Sequence, residues 1–185
     1  GLPLVSVERP QSEAASTWLN RTFDVVGAAA VLLLASPIMA ITALLIKRED
    51  GGPVLFRQER VGRDGTTFSC LKFRSMVVDA EARLRALQSQ NMADGVLFKM
   101  TDDPRITRIG KVIRRLSIDE LPQLVNVLRG EMSLVGPRPS LPSEVERYHS
   151  DVMRRLRVRP GLTGLWQVSG RSDLSWDDAV RLDLY

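Results

Sequence analysis

A run of about 22 uncharged residues, Val25 to Ile46 (VVGAAAVLLLASPIMAITALLI), constrains this chain more than any other feature. At about 1.5 Å per residue, a straight helix of that length matches the roughly 30 Å hydrocarbon core of a bilayer. Ser36-Pro37 stands in its middle. Proline lacks an N–H, collides with the carbonyl one turn earlier and drives the preceding residue from helical angles, so a bend or break is expected there. Arg21 precedes the run and Lys47-Arg48 follow it, so basic flanks do not choose between sides. Three arrangements satisfy these residues. They are a true span, which hydropathy alone favours, a helix-break-helix that dips in and returns, and a buried helix of a soluble protein.

The roughly 140 residues after Lys47 suffice for one packed core, and their ordinary charged fraction describes one globular domain. A net charge of +4 suits an anionic membrane surface or phosphate-bearing ligands. Nucleic acid is a poor partner, because aromatic residues are few and not interleaved with the basic runs. One cysteine, Cys70, excludes an intrachain disulfide and fits a reducing compartment, packed in a strand. The only histidine, His149, lies in the polar segment EVERYHSD and reads as solvated. The apolar run is too long and too far from the N-terminus for a signal peptide.

Residues 1–17 read as a loose leader, 18–47 as the membrane segment and 48–185 as a cytoplasmic domain. Trp18 suits the headgroup level, and Arg21 can reach Asp24 at i, i+3 and steady the helix start. Val54 to Val61 and Thr66 to Phe73 are strand-like runs joined through Asp64-Gly65, a β-hairpin signal. Helices are expected over Val78 to Gln90, Lys111 to Arg115, Ser117 to Leu128 (stopped by Gly130), Ser143 to Arg155, and from about Ser175. Pro137, Pro139 and Pro142 force an extended segment between the third and fourth of these.

Three groups of residues carry chemistry. In Ser117-Ile118-Asp119-Glu120-Leu121-Pro122-Gln123, adjacent carboxylates stand at a helix start, where bare N–H groups favour the anion of Asp119 as nucleophile or metal ligand. Ser117 and Glu120 also spell a capping box, which needs no chemistry. If Pro122 opens the helix, the acids fall in the turn before it, better placed for a site than for a cap. The second group is arginine beside proline or glycine: Pro104-Arg105, Arg114-Arg115, Pro137-Arg138-Pro139 and Arg157-Val158-Arg159-Pro160. A guanidinium held on a restricted backbone offers phosphate a two-point contact, although a solvated basic face explains the same residues. The third is Gly161 to Arg171, in which Trp166 offers a flat face and Gln167 and Arg171 offer donors; a structural turn with a core Trp is equally consistent.

In order, Arg21 and Asp24 before the Ser36-Pro37 helix, Gln58-Glu59-Arg60-Val61-Gly62, Lys72-Phe73-Arg74-Ser75-Met76, the Asp119-Glu120 segment, Gly136-Pro137-Arg138-Pro139 and Arg159 through Arg171 resemble the bacterial sugar transferases that are monotopic phosphoglycosyl transferases. The resemblance covers roughly residues 18–185. It implies an α/β, mostly helical fold with a small β-hairpin, a re-entrant membrane helix broken at Ser36-Pro37, and amphipathic interfacial helices. It implies transfer of hexose-1-phosphate from a UDP-hexose to polyprenyl (undecaprenyl) phosphate at the cytoplasmic face of the bacterial inner membrane, starting exopolysaccharide, capsule or O-antigen synthesis. Asp119 would be the nucleophile and, with Glu120, would hold Mg²⁺. Lys72, Arg74, Arg105, Arg114, Arg138, Arg159, Trp166, Gln167 and Arg171 become candidates for phosphate or substrate contacts. Membrane lipids are implied partners, and a homodimer is compatible. Members of the family normally continue past the position of Tyr185. The competing function is a membrane-tethered, non-catalytic assembly or regulatory protein of polysaccharide export.

Overall fold

In the computed structural model, residues 12–87, 103–148, 152–169 and 182–183 are described. A 39-residue helix, α1 (Ser12–Asp50), leads into an antiparallel hairpin of β1 (Leu55–Val61) and β2 (Thr67–Phe73). Helices α2 (Ala80–Leu87), α3 (Arg108–Arg115) and α4 (Gln123–Arg129) follow. Then come β3 (Ser133–Val135), α5 (Pro142–Val145), β4 (Gly161–Thr163) and α6 (Leu165–Val168).

The helix α1 begins inside the segment read as leader, and it runs through Pro37 without interruption, where a break was expected. The reason is local. A regular residue 37 would donate its N–H to the carbonyl of Leu33, and the Ser36 hydroxyl donates to that oxygen instead, at 2.8 Å. The helix ends where Gly51 takes a left-handed conformation (φ 71°) and its N–H meets the carbonyl of Lys47.

One stripe of α1 faces the domain: Arg21, Asp24, Ala28, Leu32, then Met39, Ala43, Ile46 and Asp50, spaced as one face of a helix. Ala28 and Leu32 join an apolar cluster with Phe68, Cys70, Leu124, Val127 and Met132. Met39, Ala43 and Ile46 join a second one with Phe73, Ile113 and Ile118. The opposite face is bare and apolar, with Leu33, Leu34, Ile38 and Ile41 all more than half exposed.

Arg21 and Asp24 do not pair with each other. Arg21 donates to the carbonyls of Val127 (2.7 Å) and Leu128 (2.8 Å), capping the C-terminal end of α4, where bare carbonyls attract a cation. Asp24 accepts from the Leu134 N–H (2.8 Å) and the Ser133 hydroxyl (2.9 Å) of β3. Side chains on one turn that both prefer docking to the domain cannot also bridge.

The hairpin has the expected turn, with Asp64 (φ 55°) and Gly65 (φ 79°) both left-handed, as a tight hairpin requires. On the unpaired edge of β2, buried Asn126 of α4 accepts from Leu71 N (3.0 Å) and donates to Ser69 O (2.8 Å), so one side chain replaces a neighbouring strand. The parallel pair β3–β4, in which Ser133 faces Gly161 and Val135 faces Thr163, was not among the expected elements. Glycine makes it: a Cβ on Gly161 would lie 2.1 Å from Gly136 N, and one on Gly164 2.3 Å from Gly136 O. The expected helix from Ser143 resolves into α5 and a 3-10 stretch over Val152–Arg157, and the helix expected from Ser175 lies outside the described residues.

Candidate active site

Asp119 and Glu120 occupy a 3-10 turn, Ile118–Glu120, just before α4, with Pro122 in helical geometry at its start. Ser117 enters the turn in the left-handed region (φ 57°) and makes no side-chain cap, so the capping-box alternative is absent. The flanking residues anchor the turn on both sides. Ile118 packs into the cluster around Ile46, Phe73 and Ile113, and Leu121 into the one around Leu124 and Val127. Two partly buried apolar neighbours thus fix the backbone that carries the acids.

Lys72 stands on β2 between buried Leu71 and Phe73, so strand alternation turns it to the other face. Its ammonium donates to Glu120 Oε1 at 2.8 Å. Burial pushes the Asp119 carboxyl above its ordinary pKa and the Glu120 charge adds to that, while Lys72 and Arg114 pull it back. This is opposite to the direction expected from a helix N-terminus, because the acids sit before the seven-residue α4 and not on its first N–H groups. Lys72, Arg114, Asp119 and Glu120 therefore form one constellation. Buried Arg60 is within electrostatic reach of both Arg138 and Glu120.

Arg60 was given no role in the sequence and has one here. It donates to Gln58 Oε1 (2.6 Å) and to the carbonyl of Pro139 (2.8 Å), and Val61 N donates to Ser140 O (2.9 Å), so β1 holds the Arg138 segment. Glu144, 1% exposed, accepts from Arg138 Nη1 (3.2 Å) and Leu141 N (2.7 Å). Behind them, Tyr148 meets Ser140 (2.7 Å) and Arg155 (3.1 Å), and Arg155 is paired with Asp183.

Arg74 is a clamp: its Nε donates to Pro53 O (2.6 Å) and both Nη atoms engage Asp50, which ties the end of α1 to β2 and accounts for its donors without phosphate. Arg105 is buried against Asp103, with Nη2 to Oδ2 at 2.6 Å and Nε to Oδ1 at 2.9 Å, and the Asp103 carboxyl is held below its usual range by those bonds. Arg159 lines a hollow at the other end of α4. Gln167 lies on α6 beside Gly164, while the Trp166 side chain and Arg171 fall outside the described residues.

The donor set at the acid pair suits Mg²⁺, which takes one or two carboxylates and completes its shell with water and substrate phosphate. Among the described residues there is no group of three or more His, Cys, Asp or Glu that could hold a metal ion.

Partly buried adjacent acids within electrostatic reach of Lys72 and Arg114 stand on a domain packed against a long apolar helix. The bacterial sugar transferase family model matches residues 15–185, and the chain belongs to that family. It is 48% identical over 184 residues to the UDP-galactose-lipid carrier transferase of Erwinia amylovora, covering 97% of this chain and 38% of that protein. It is 46% identical to the undecaprenyl-phosphate galactose phosphotransferase of Salmonella typhimurium, with 97% and 38% covered. The exopolysaccharide production protein ExoY of Sinorhizobium fredii is 46% identical over 170 residues, 90% of this chain and 75% of the relative. The chain thus spans about two fifths of the first two relatives.

Proposed function

We propose that this chain transfers hexose-1-phosphate from a UDP-hexose to a polyprenyl phosphate, through a covalent intermediate on Asp119. The observation that carries it is that Ile118, the residue before Asp119, packs into the same apolar cluster as Ile46 in the last apolar turn of α1. The acids stand where the membrane helix rejoins the domain, within reach of a lipid phosphate whose tail stays in the bilayer.

In the first step an Asp119 oxygen forms a bond to the β-phosphorus of the donor, and the bond from that phosphorus to the oxygen bridging to the α-phosphate breaks, so UMP leaves. In the second, an oxygen of the lipid phosphate attacks the same phosphorus, the acyl-phosphate bond breaks, and Asp119 returns as a carboxylate. One difficult displacement between two anions becomes two. Lys72 holds Glu120 and, with Arg114, favours the Asp119 anion. Arg138, steadied by Glu144 and on a segment that Arg60 holds, would receive phosphate oxygens. Mg²⁺, held by Asp119 and Glu120, would supply charge neutralisation between carboxylate and diphosphate.

Re-entry of α1 from one side, its continuous helix bending at Ser36-Pro37, is supported by its two attachments. Arg21 and Asp24 at one end, and Glu49 (accepting from Arg108 N, 2.8 Å) and Asp50 at the other, all bind the same domain. A span would separate these ends by the thickness of the bilayer. Exposed Val112 and Leu116 beside Lys111 and Arg115 on α3 suit a membrane surface next to the exit. Relatives named for galactose transfer, and the Gly164 to Arg171 segment, favour UDP-galactose or UDP-glucose as donor. The test is UMP release from a panel of UDP-sugars with Mg²⁺ and undecaprenyl phosphate. Release with one donor, abolished in Asp119→Asn, is the expected result; no release with any donor contradicts it and favours a non-catalytic assembly protein.

A further inference from the structure

The hollow at the far end of α4 is unused by this chemistry. It is an open hollow of about 380 Å³, lined by the hairpin turn, the end of α4 and Arg159. Three arginines remote in sequence, Arg63, Arg129 and Arg159, converge on it. Its two acids are already engaged: Asp64 pairs with Arg63 at 3.1 Å, and Glu131 accepts from Asn126 at 2.6 Å. Among the described residues, the side chains of Arg129 and Arg159 make no hydrogen bond or ion pair. An anion in the hollow would give both guanidiniums a partner.

Position narrows the anion. Gly130 lines the hollow, and the Arg21 guanidinium lies 3.5 Å from where a Gly130 Cβ would stand. Arg21 is on the turn by which α1 leaves the domain, and Trp18 and Leu19 beside it are 78% and 72% exposed. An arginine, an exposed tryptophan and an apolar helix in succession mark headgroup depth. The acids precede the N-terminal end of α4 and the hollow adjoins its C-terminal end, roughly 15 Å away at 1.5 Å per residue.

We infer that this hollow binds the phosphate headgroup of an anionic glycerophospholipid, a site separate from the Asp119 centre that fixes the domain at the entry of α1. Basic recesses beside membrane helices recognise such headgroups, each arginine near an anionic surface adding roughly fivefold in affinity. The inference rests on the reading of α1 as a membrane helix, and the experiment tells the two apart.

The full chain in an uncharged detergent is titrated calorimetrically with dihexanoyl phosphatidylglycerol, dihexanoyl phosphatidylcholine and inorganic phosphate. The anionic lipid should bind at least roughly tenfold tighter than the zwitterionic one, and Arg129→Gln should weaken it roughly fivefold. Arg129→Lys, which keeps the charge, should retain most of the preference and shows that the loss is not misfolding. Equal affinity for the two lipids, or a preference untouched by Arg129→Gln, overturns the inference. So does phosphate binding as tightly as the anionic lipid, or an Arg129→Gln defect confined to the KM for UDP-sugar. Failure of the membrane reading has its own signature: alkaline carbonate would strip the protein from cell membranes, whatever the titrations give.

Discussion

Lys72 and Glu120 meet at 2.8 Å across the gap between a strand and a turn, and the same ammonium offsets part of the burial that raises Asp119. Lys72→Met removes this offset. The Asp119 carboxyl then rises further above its ordinary range, so its anion is lost at higher pH as acidity increases. The acid limb of UMP release at fixed Mg²⁺ should move to higher pH, with a rate near neutrality lower by about tenfold or more. An unmoved acid limb would detach Lys72 from Asp119.

Asp24→Ala should destabilise the fold by about 1–3 kcal/mol, since it strands the Leu134 N–H and the Ser133 hydroxyl in a buried place. Asp24→Asn keeps an acceptor and should recover part of the loss. Thermal unfolding in detergent reads both. Equal melting of Asp24→Ala and the parent would remove the docking role.

Gly161→Ala places a methyl 2.1 Å from Gly136 N and 2.5 Å from Thr163 O, backbone atoms that cannot yield cheaply. A cost of about 1–3 kcal/mol is expected, with loss of activity as the Arg138 segment shifts. Gly51, whose Cβ would meet nothing within 4 Å, is the comparison. Its left-handed φ of 71° limits Gly51→Ala to roughly 1 kcal/mol of backbone strain. Equal melting points for the two variants would contradict the packing argument.

Much of this was legible in the sequence, and the exceptions share a cause. The hairpin declared itself because alternation and Asp64-Gly65 are local signals, and the acids fell in the turn before α4 because Pro122 is a local helix-start signal. The partners of Arg74, Arg105 and Arg21 within the fold were not legible, for the opposite reason. Each finds its partner through contacts that a linear string of arginines does not reveal: Asp50, buried Asp103, and the carbonyls ending α4. The pair β3–β4 joins residues 28 positions apart, and only the three glycines hinted at it. At Pro37 the steric rule for proline was sound, but the Ser36 hydroxyl replaced the missing donor.

For α1, cysteines at positions 16 and 52, in a Cys70→Ala background, should both react with an impermeant reagent from the cytoplasmic side of inverted vesicles. Reaction from opposite sides would mean a crossing, and the attachments of Arg21 and Asp50 to one domain could not then coexist.

The most direct measurement is the intact mass of the protein after incubation with UDP-galactose or UDP-glucose and Mg²⁺ in the absence of lipid acceptor. One hexosyl-phosphate unit should be added, located at Asp119 by peptide mapping, discharged by undecaprenyl phosphate and absent in Asp119→Asn. An adduct that persists in Asp119→Asn, or UMP release with no adduct at any time, would contradict the covalent mechanism.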